Sequence, residues 1–396
     1  MSSRTFIEFF AGIGLIHQAL HPAGWRAVLA NDNNPKKQAC YAANFPKVPF
    51  RSDDVRALEL PLLPQVQLVT ASFPCIDLSQ AGGRVGINGQ KSGVVWAFLE
   101  QVAELHRRGT PPEFMLIENV PGLLSLHEGR SIDALLRRIA ELGYCVDLIQ
   151  VDARHFVPQS RNRVFVIGVL GERPRICSAE WSDDHIRRYK AREAYERNRH
   201  LPWACFDFPE LPTRKLRLSD IVERLPPTDK RWWDASRMEE FWAKLEHHHR
   251  PQLEEIAASG KTVYMTAVRR GRRRRLREQI INLRFDGLAS CVRTPGGGSS
   301  TQLIVEVKGG VVRARRILGV EAARLQGVCL PGEPGFVLPD VSETDQLHGF
   351  GDAVCVPAVR WVMEHSIERL IAGHQTAARG SGVIHLESGH VVGTGT

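Results

Sequence analysis

No apolar run in these 396 residues is long enough to cross a bilayer, and the N-terminus lacks the basic-then-apolar pattern of a signal peptide. The cysteines (Cys40, Cys75, Cys145, Cys177, Cys205, Cys291, Cys329 and Cys355) never form a C-x-x-C pair. That scatter argues against a disulfide framework and a zinc site, and for reduced thiols in a cytoplasmic compartment. His247-His248-His249 offers no metal site either, because consecutive residues cannot all face one ion, and it reads as a solvated helix-end run. What remains is the composition of an ordinary soluble globular protein, long enough for one large and one smaller domain. The formal net charge of +8 is unevenly placed, and a basic excess fits a polyanion partner.

The first half alternates apolar strands with amphipathic helices, the pattern of an α/β sheet. Thr5–Phe10 reads as a buried strand, followed by the turn Ala11-Gly12-Ile13-Gly14 and a helix from Leu15 to Leu20. Such a glycine turn lets the backbone approach a ligand, and the helix N-terminus offers free N–H groups. A dinucleotide fingerprint would need a third glycine where His17 stands, so S-adenosylmethionine is the better candidate; a ligand-free strand-turn-helix is the alternative. Trp25–Ala30 is a second strand, and Asp32 at its tip lies at about the ~20-residue distance required of an acid that holds a ribose. Asp or Asn here also suits the N-cap of a helix over 35–44. Ser52-Asp53-Asp54-Val55 supplies a further strand-end acid that fits an adenine amino group, or a plain loop acid.

The apolar run Leu68–Ala71 ends in Phe73-Pro74-Cys75, and a cysteine at such an edge is either a reachable nucleophile or a small core residue. The glycine-rich loop 81–93 behind it reads as a lid over a substrate or as a surface connection. The helix Val94–Arg107 follows, then the apolar strand Phe114–Ile117 running into Glu118-Asn119-Val120. A carboxylate at the carboxyl end of a buried strand is partly desolvated, a setting suited to acid–base work or to a structural bond with the next loop. Arg161 and Arg163, at i and i+2 on an extended segment, point to one side, as functional groups or as solvated surface. Between 171 and 288 no clear sheet pattern appears, and Arg269, Arg270, Arg272, Arg273, Arg274, Arg275 and Arg277 crowd one stretch. Such a run supplies phosphate contacts, with one or two arginines reading guanine edges, or else forms a disordered basic arm. Gln302–Val307 and Val311–Arg315 read as a hairpin, and Val354–Leu370 as one returning helix.

Taken in order, these motifs resemble the cytosine-C5 DNA methyltransferases. The turn Phe10-Ala11-Gly12-Ile13-Gly14, the Phe73-Pro74-Cys75 loop, Glu118-Asn119-Val120, the set Gln159, Arg161 and Arg163, the helix Glu321–Gly327 and Gly351-Asp352-Ala353-Val354 carry the resemblance. Three positions depart from the common pattern: Leu15 for a frequent glycine, Ile76 for a polar residue and Asp352 for the usual asparagine.

The resemblance implies a Rossmann-like S-adenosylmethionine-dependent domain with a mixed, mostly parallel sheet, plus a smaller target-recognition domain. It implies a catalytic domain over 1–170, a small domain over 171–345, a return over 346–371 and a flexible tail over 372–396. It implies cofactor contacts from Phe10, Ala11, Gly12, Ile13, Gly14, Asp32, Asn33, Asp54, Val55, Pro74, Val95 and Asp352. DNA contacts would come from Ser79, Gln159 and the arginine run. Cys75 would add to C6 of a flipped cytosine, Glu118 would hold N3 and the exocyclic amine, and Arg163 the O2 side. Arg161 would take a neighbouring phosphate or support Arg163. Double-stranded DNA would be the partner of a monomeric enzyme of restriction–modification type, with a cognate endonuclease sharing the site without a stable complex. A tRNA cytosine methyltransferase and a non-catalytic DNA-binding relative are the alternatives, and a dehydrogenase a distant third. Replacing the nucleophile, Cys75→Ala, is expected to abolish turnover while sequence-specific binding persists; turnover preserved in that variant would overturn the covalent route.

Overall fold

The computed structural model describes residues 4–74, 93–271, 279–294, 302–332, 335–338 and 340–380. Cys75, Ser79, the loop 81–92, Arg272, Arg273, Arg274, Arg275 and Arg277 lie outside the described residues. A seven-stranded sheet is built from β1 (Thr5–Phe9), β2 (Arg26–Asn31), β3 (Phe50–Arg51), β4 (Leu68–Ala71), β5 (Phe114–Asn119), β6 (Tyr144–Asp152) and β7 (Asn162–Leu170), in the order β3-β2-β1-β4-β5-β7-β6. All pairings are parallel except those of β7, which runs against both β5 and β6. β1, β4, β5 and β6 are buried along their whole length, as strands covered on both faces must be.

Helices cover both faces. On one, α1 (Leu15–Leu20) shares a core with Phe6. On the other, α3 (Val94–Arg107) and α4 (Arg130–Glu141) share a core with Ile7. In α4 the buried Ile132, Leu135, Leu136 and Ile139 recur at one-turn spacing and form its inner stripe. Between them in the chain, α2 (Pro35–Asn44) starts where predicted: the Asn34 side chain accepts from the N–H groups of Lys36 and Lys37, and Pro35 opens the first turn. The strand order reverses between β1 and β4, and ligand crevices of open α/β sheets lie beyond the carboxyl ends at such a point.

The short pair β8 (Cys177–Ser178) and β9 (Cys205–Phe206), with α5 (Tyr189–Arg197) between them, packs on the β6 edge. Ala204 N–H donates to Val146 O at 2.9 Å, and the buried Arg187 pairs with Asp147 at 2.7 Å. These residues, assigned from sequence to the small domain, thus complete the core of the large one. Beyond α6 (Leu218–Ile221), the helices α7 (Ala235–Lys244) and α8 (His249–Ala258) lead into an antiparallel sheet of β10 (Val263–Gly271), β11 (Gln279–Arg284), β12 (Gln302–Lys308) and β13 (Val311–Arg316), in the order β11-β10-β12-β13. The stretch 171–288, which shows no clear sheet pattern in sequence, contributes two strands to this sheet: β10 and β11 pair between Thr266 and Arg284. Arg269 sits on β10 with its guanidinium over the Trp233 ring, 5.5 Å from the centroid, rather than on a free arm. His249 also departs from the solvated reading: it is buried, and its Nδ1 accepts from Leu283 N–H at 3.2 Å.

The chain then returns through α9 (Gly319–Leu325) and α10 (Glu343–Asp352) to α11 (Val356–His365), which packs on α1, and α12 (Ile367–Gly380). The single helix expected over 354–370 is two helices, divided at Ser366, whose backbone (φ −126°, ψ −94°) is not helical. Residues 372–380, expected to begin a flexible tail, are helical. Among the described residues no helix is long and apolar enough to cross a membrane.

Gln159 requires the firmest correction. Assigned from sequence to DNA, it is fully buried, donates through Nε2 to Leu325 O at 2.6 Å and accepts through Oε1 from Val292 N–H at 2.9 Å. It clips the start of β7 to α9 and to the segment entering from the small sheet. Gln159→Leu would strand both backbone groups at about 1–3 kcal/mol each, and is expected to lower the denaturation midpoint. A midpoint equal to that of the parent would show that the clip is dispensable.

Candidate active site

Where β1 ends, the chain turns through Phe10 at φ 54°, Gly12 at φ 58° and Gly14 at φ 87°. A left-handed phenylalanine costs about 1–2 kcal/mol, and such strain clusters at functional sites. At Gly12 an added Cβ would meet only Phe10 O, at 3.9 Å, so there is free space beside the backbone. Gly12 N–H donates to Asp32 Oδ2 at 2.9 Å, and Asn34 N–H to Asp32 Oδ1 at 2.9 Å. These two bonds pin the acid at the tip of β2. It faces a cavity of about 650 Å³ that runs across the carboxyl ends of β1, β2, β4 and β5.

Phe10, Ala11, Gly12, Ile13, Asp32, Asn33, Asp54 and Val55 line one end of this cavity, as the sequence leads one to expect. Two of the expected residues lie elsewhere. Gly14 does not line it; a Cβ there would come within 2.8 Å of the Phe45 ring, so this glycine serves helix packing. Val95 is buried in the α3 core, and its neighbour Val94 lines the cavity instead. Leu15, the departure from glycine, also forms part of the wall. Asp54 is chelated by Arg56 Nε and Nη2 at 2.9 and 2.7 Å, which holds its carboxyl below the usual range. Asp352, the departure from asparagine, accepts from Lys37 Nζ at 2.8 Å, and both residues line the cavity.

At the other end Glu118 closes β5. Because β7 is antiparallel to β5, Glu118 is in register with Phe165 and Asn119 with Val164, so the start of β7 lies beside the end of β5. Arg163 Nε donates to Glu118 Oε1 at 2.9 Å, and the Ser72 hydroxyl donates to Glu118 Oε2. Asn119 Nδ2 donates to Phe73 O at 3.1 Å, fastening β5 to the segment that leads into Cys75. Ser72, Phe73, Pro74, Glu118, Arg161 and Arg163 all line the same cavity as Asp32. Arg161 is buried and donates to Val292 O at 2.9 Å, to Gly351 O at 3.1 Å and to Ala353 O. Its guanidinium is thus engaged by backbone carbonyls of two distant segments.

The profile of the C-5 cytosine-specific DNA methylase family matches residues 4–368. The chain belongs to this family. It is 39% identical over 180 residues to the type II methyltransferase M2.BsuMI of Bacillus subtilis, a match covering 45% of each protein. Against M.HpaII of Haemophilus parainfluenzae it is 25% identical over 382 residues, covering 92% of this chain and 90% of that one. With M2.BsuMI and with M.MspI of Moraxella the match spans less than half of the relative's own length. Among solved structures, the Entamoeba histolytica methyltransferase EhMeth superposes with a TM-score of 0.61 at 14% identity, covering 93% of this chain and 99% of that one. Dnmt2 of S. pombe gives 0.56 at 17% identity, covering 92% and 98%.

Three features of the cavity and its surroundings escaped the sequence reading. Ser72 carries a signal only in hindsight, as the last polar residue before Phe73-Pro74-Cys75. Lys37 lies in the first turn of α2 and reads as ordinary surface charge until α10 is folded over it. The third is a buried relay on the cavity wall: Tyr41 donates to Glu8 Oε2 at 3.2 Å, and His17 Nδ1 lies 2.9 Å from the Tyr41 oxygen. His17, which broke the dinucleotide pattern, is thus a core residue, stacked on Phe45 at 3.7 Å. Burial lowers its pKa to about 4, so it is neutral at pH 7. Burial likewise raises Glu8 from 4.5 to about 8, against the lowering effect of the Tyr41 bond.

The sign for stability follows from proton counts. Folded Glu8 keeps its proton up to about pH 8 while the unfolded chain releases it near 4.5, so the folded state binds more protons in that window and loses stability as pH rises through it. Glu8→Gln is therefore expected to flatten the decline of melting temperature between pH 4.5 and about 8. A decline as steep as the parent's would show that Glu8 is not its source.

Proposed function

We propose that the protein methylates C5 of a cytosine within a specific sequence of duplex DNA, using S-adenosylmethionine and a covalent Cys75–C6 intermediate. The observation that carries this reading is the meeting of two groups on one cavity: Glu118 held by Arg163 and Ser72, and Asp32 held by Gly12 and Asn34. The cofactor fits what is there. Free space beside the Gly12 backbone admits a close ligand, and Asp32 is oriented to accept from ribose hydroxyls. Val55 and Asp54 stand at the adenine end, with Lys37 and Asp352 at the rim. When bound, S-adenosylmethionine supplies an electrophilic methyl group on its sulfonium.

The chain's own groups do the rest. Cytosine C5 is a weak nucleophile until a thiolate adds to C6; the new S–C6 bond pushes an electron pair onto C5 and makes it enamine-like. Glu118, at N3 and the exocyclic amine, offsets the charge that develops, and Arg163 both orients Glu118 and holds the O2 side. After the methyl has been accepted, loss of the C5 proton and departure of the Cys75 thiolate restore the ring. The base must leave its stack to reach Glu118, since that carboxylate is 4% exposed at the foot of the cavity. The basic stretch from Arg269 to Arg277 is suited to the phosphate backbone. We assign the active form as a monomer in the cytoplasm, with a restriction endonuclease acting on the same site without a stable complex.

The rival substrate is tRNA. Tritium transfer from labelled S-adenosylmethionine is expected with duplex DNA and absent with tRNA, and bisulfite sequencing would give the modified cytosine. Label appearing in tRNA alone would replace the DNA reading. Label in neither, with DNA binding intact, would leave a binding protein that has kept the fold.

A further inference from the structure

The guanidiniums of Arg161 and Arg163 meet at the foot of the active site, beside the Glu118 carboxylate. Glu118 is occupied by Arg163 at 2.9 Å. Among the described residues no carboxylate reaches the guanidinium of Arg161, which is 2% exposed and donates to the carbonyls of Val292, Gly351 and Ala353. Carbonyls accept its protons but do not balance its charge, and an uncompensated buried charge is expensive. The remaining partner is a sulfur. Cys291 Sγ lies 3.2 Å from Arg161 Nη1 and 3.8 Å from Arg163 Nη2.

We propose that Cys291 is a positioning residue of the active site: its sulfur, as a thiolate, is the anion shared by Arg161 and Arg163, and it holds Arg163 in line with Glu118. This role presupposes that Glu118 and Arg163 act on the base as described above. Sγ also lies 3.5 Å from Val292 O, which accepts from Arg161 at 2.9 Å. Burial pushes the Cys291 thiol up, and the charges of Arg161, Arg163 and Arg293 outweigh it, so the group sits below the ordinary thiol value. Of the other titratable groups near this cluster, Glu118 is neutralised by Arg163. Cys355, at the start of α11, is pushed up to about 12 by burial and stays protonated. A partly exposed thiol flanked by guanidiniums is the environment in which thiolates persist at neutral pH.

The test compares single-turnover methyl transfer in the full-length parent, Cys291→Ser, Cys291→Asp and Glu118→Gln, with DNA and cofactor affinities measured alongside. Loss of a charge-assisted contact at Arg163 is expected to slow Cys291→Ser about tenfold without changing either affinity more than about twofold. The anionic Cys291→Asp should recover most of the rate. Cys291→Ser at the parental rate, or Cys291→Asp no faster than Cys291→Ser, overturns the role. Glu118→Gln separates the two levels: full activity there removes the Glu118 reading itself, whereas a slow Glu118→Gln beside a fast Cys291→Ser removes only the positioning role. A readout that needs no variant is iodoacetamide labelling of the parent at about pH 7, resolved by peptide mapping. Cys291 should label ahead of Cys329, a partly exposed thiol that burial raises. Labelling of Cys291 no faster than Cys329, or none at all, overturns the thiolate.

Discussion

Arg161 donates to carbonyls of two distant stretches: Val292, on the connection between β11 and β12, and Gly351 and Ala353, where α10 gives way to α11. Its own N–H donates to Asp152 at the end of β6. Two segments far apart in sequence are therefore fixed to one planar, rigid group, and a lysine could not reproduce that fork of donors. The cavity exists because these segments converge. Glu118 and Asp32 come from the sheet itself, whereas Asp352 and Cys291 belong to segments that the Arg161 side chain helps to hold. Gln159, two residues earlier, repeats the arrangement with backbone groups of Leu325 and Val292. The short stretch before β7 is accordingly a structural keystone, and its polar side chains face inwards.

That inward orientation explains much of what could and could not be read beforehand. Continuous apolar runs announced β1, β4, β5 and β7 because strands buried on both faces leave no other pattern. The acid at the tip of β2 and the one at the end of β5 were legible because sheet topology, and not detailed packing, puts strand ends at the crevice. Side-chain direction was harder. Gln159 and Arg161 are polar, follow a proline and carry donors, so both suit a surface contact; only the long-range partners Leu325 and Val292, more than a hundred residues away, turn them inwards. Val94 and Val95 differ by a single step of about 100° around α3, and a helical pattern without a known entry angle cannot choose between them.

The small sheet escaped notice for a related reason. β10 runs from Val263 into Arg269 and Arg270, and charge at its end hides the alternation that Met265 and Ala267 begin. The polar and aromatic side chains of residues 177–206 read as the start of a new domain, and Trp203, Ala194 and Cys205 share a core with the strands of the large sheet. Ser72 and Lys37 gave almost no warning. A serine before a strand end and a lysine in a first helical turn are commonplace, and each gains meaning only from a partner on another element, Glu118 or Asp352.

The reversed direction of β7 has a geometric consequence. A nine-residue strand spans roughly 30 Å, so with its polarity switched to match its neighbours its first residues would emerge at the far rim of the sheet. A guanidinium reaches only a fraction of that distance, and no rotamer or substitution would bring it back to the β5 carboxylate. The antiparallel insertion is thus a requirement of topology: it delivers a cation to an edge where a wholly parallel layout would present only the ends of strands.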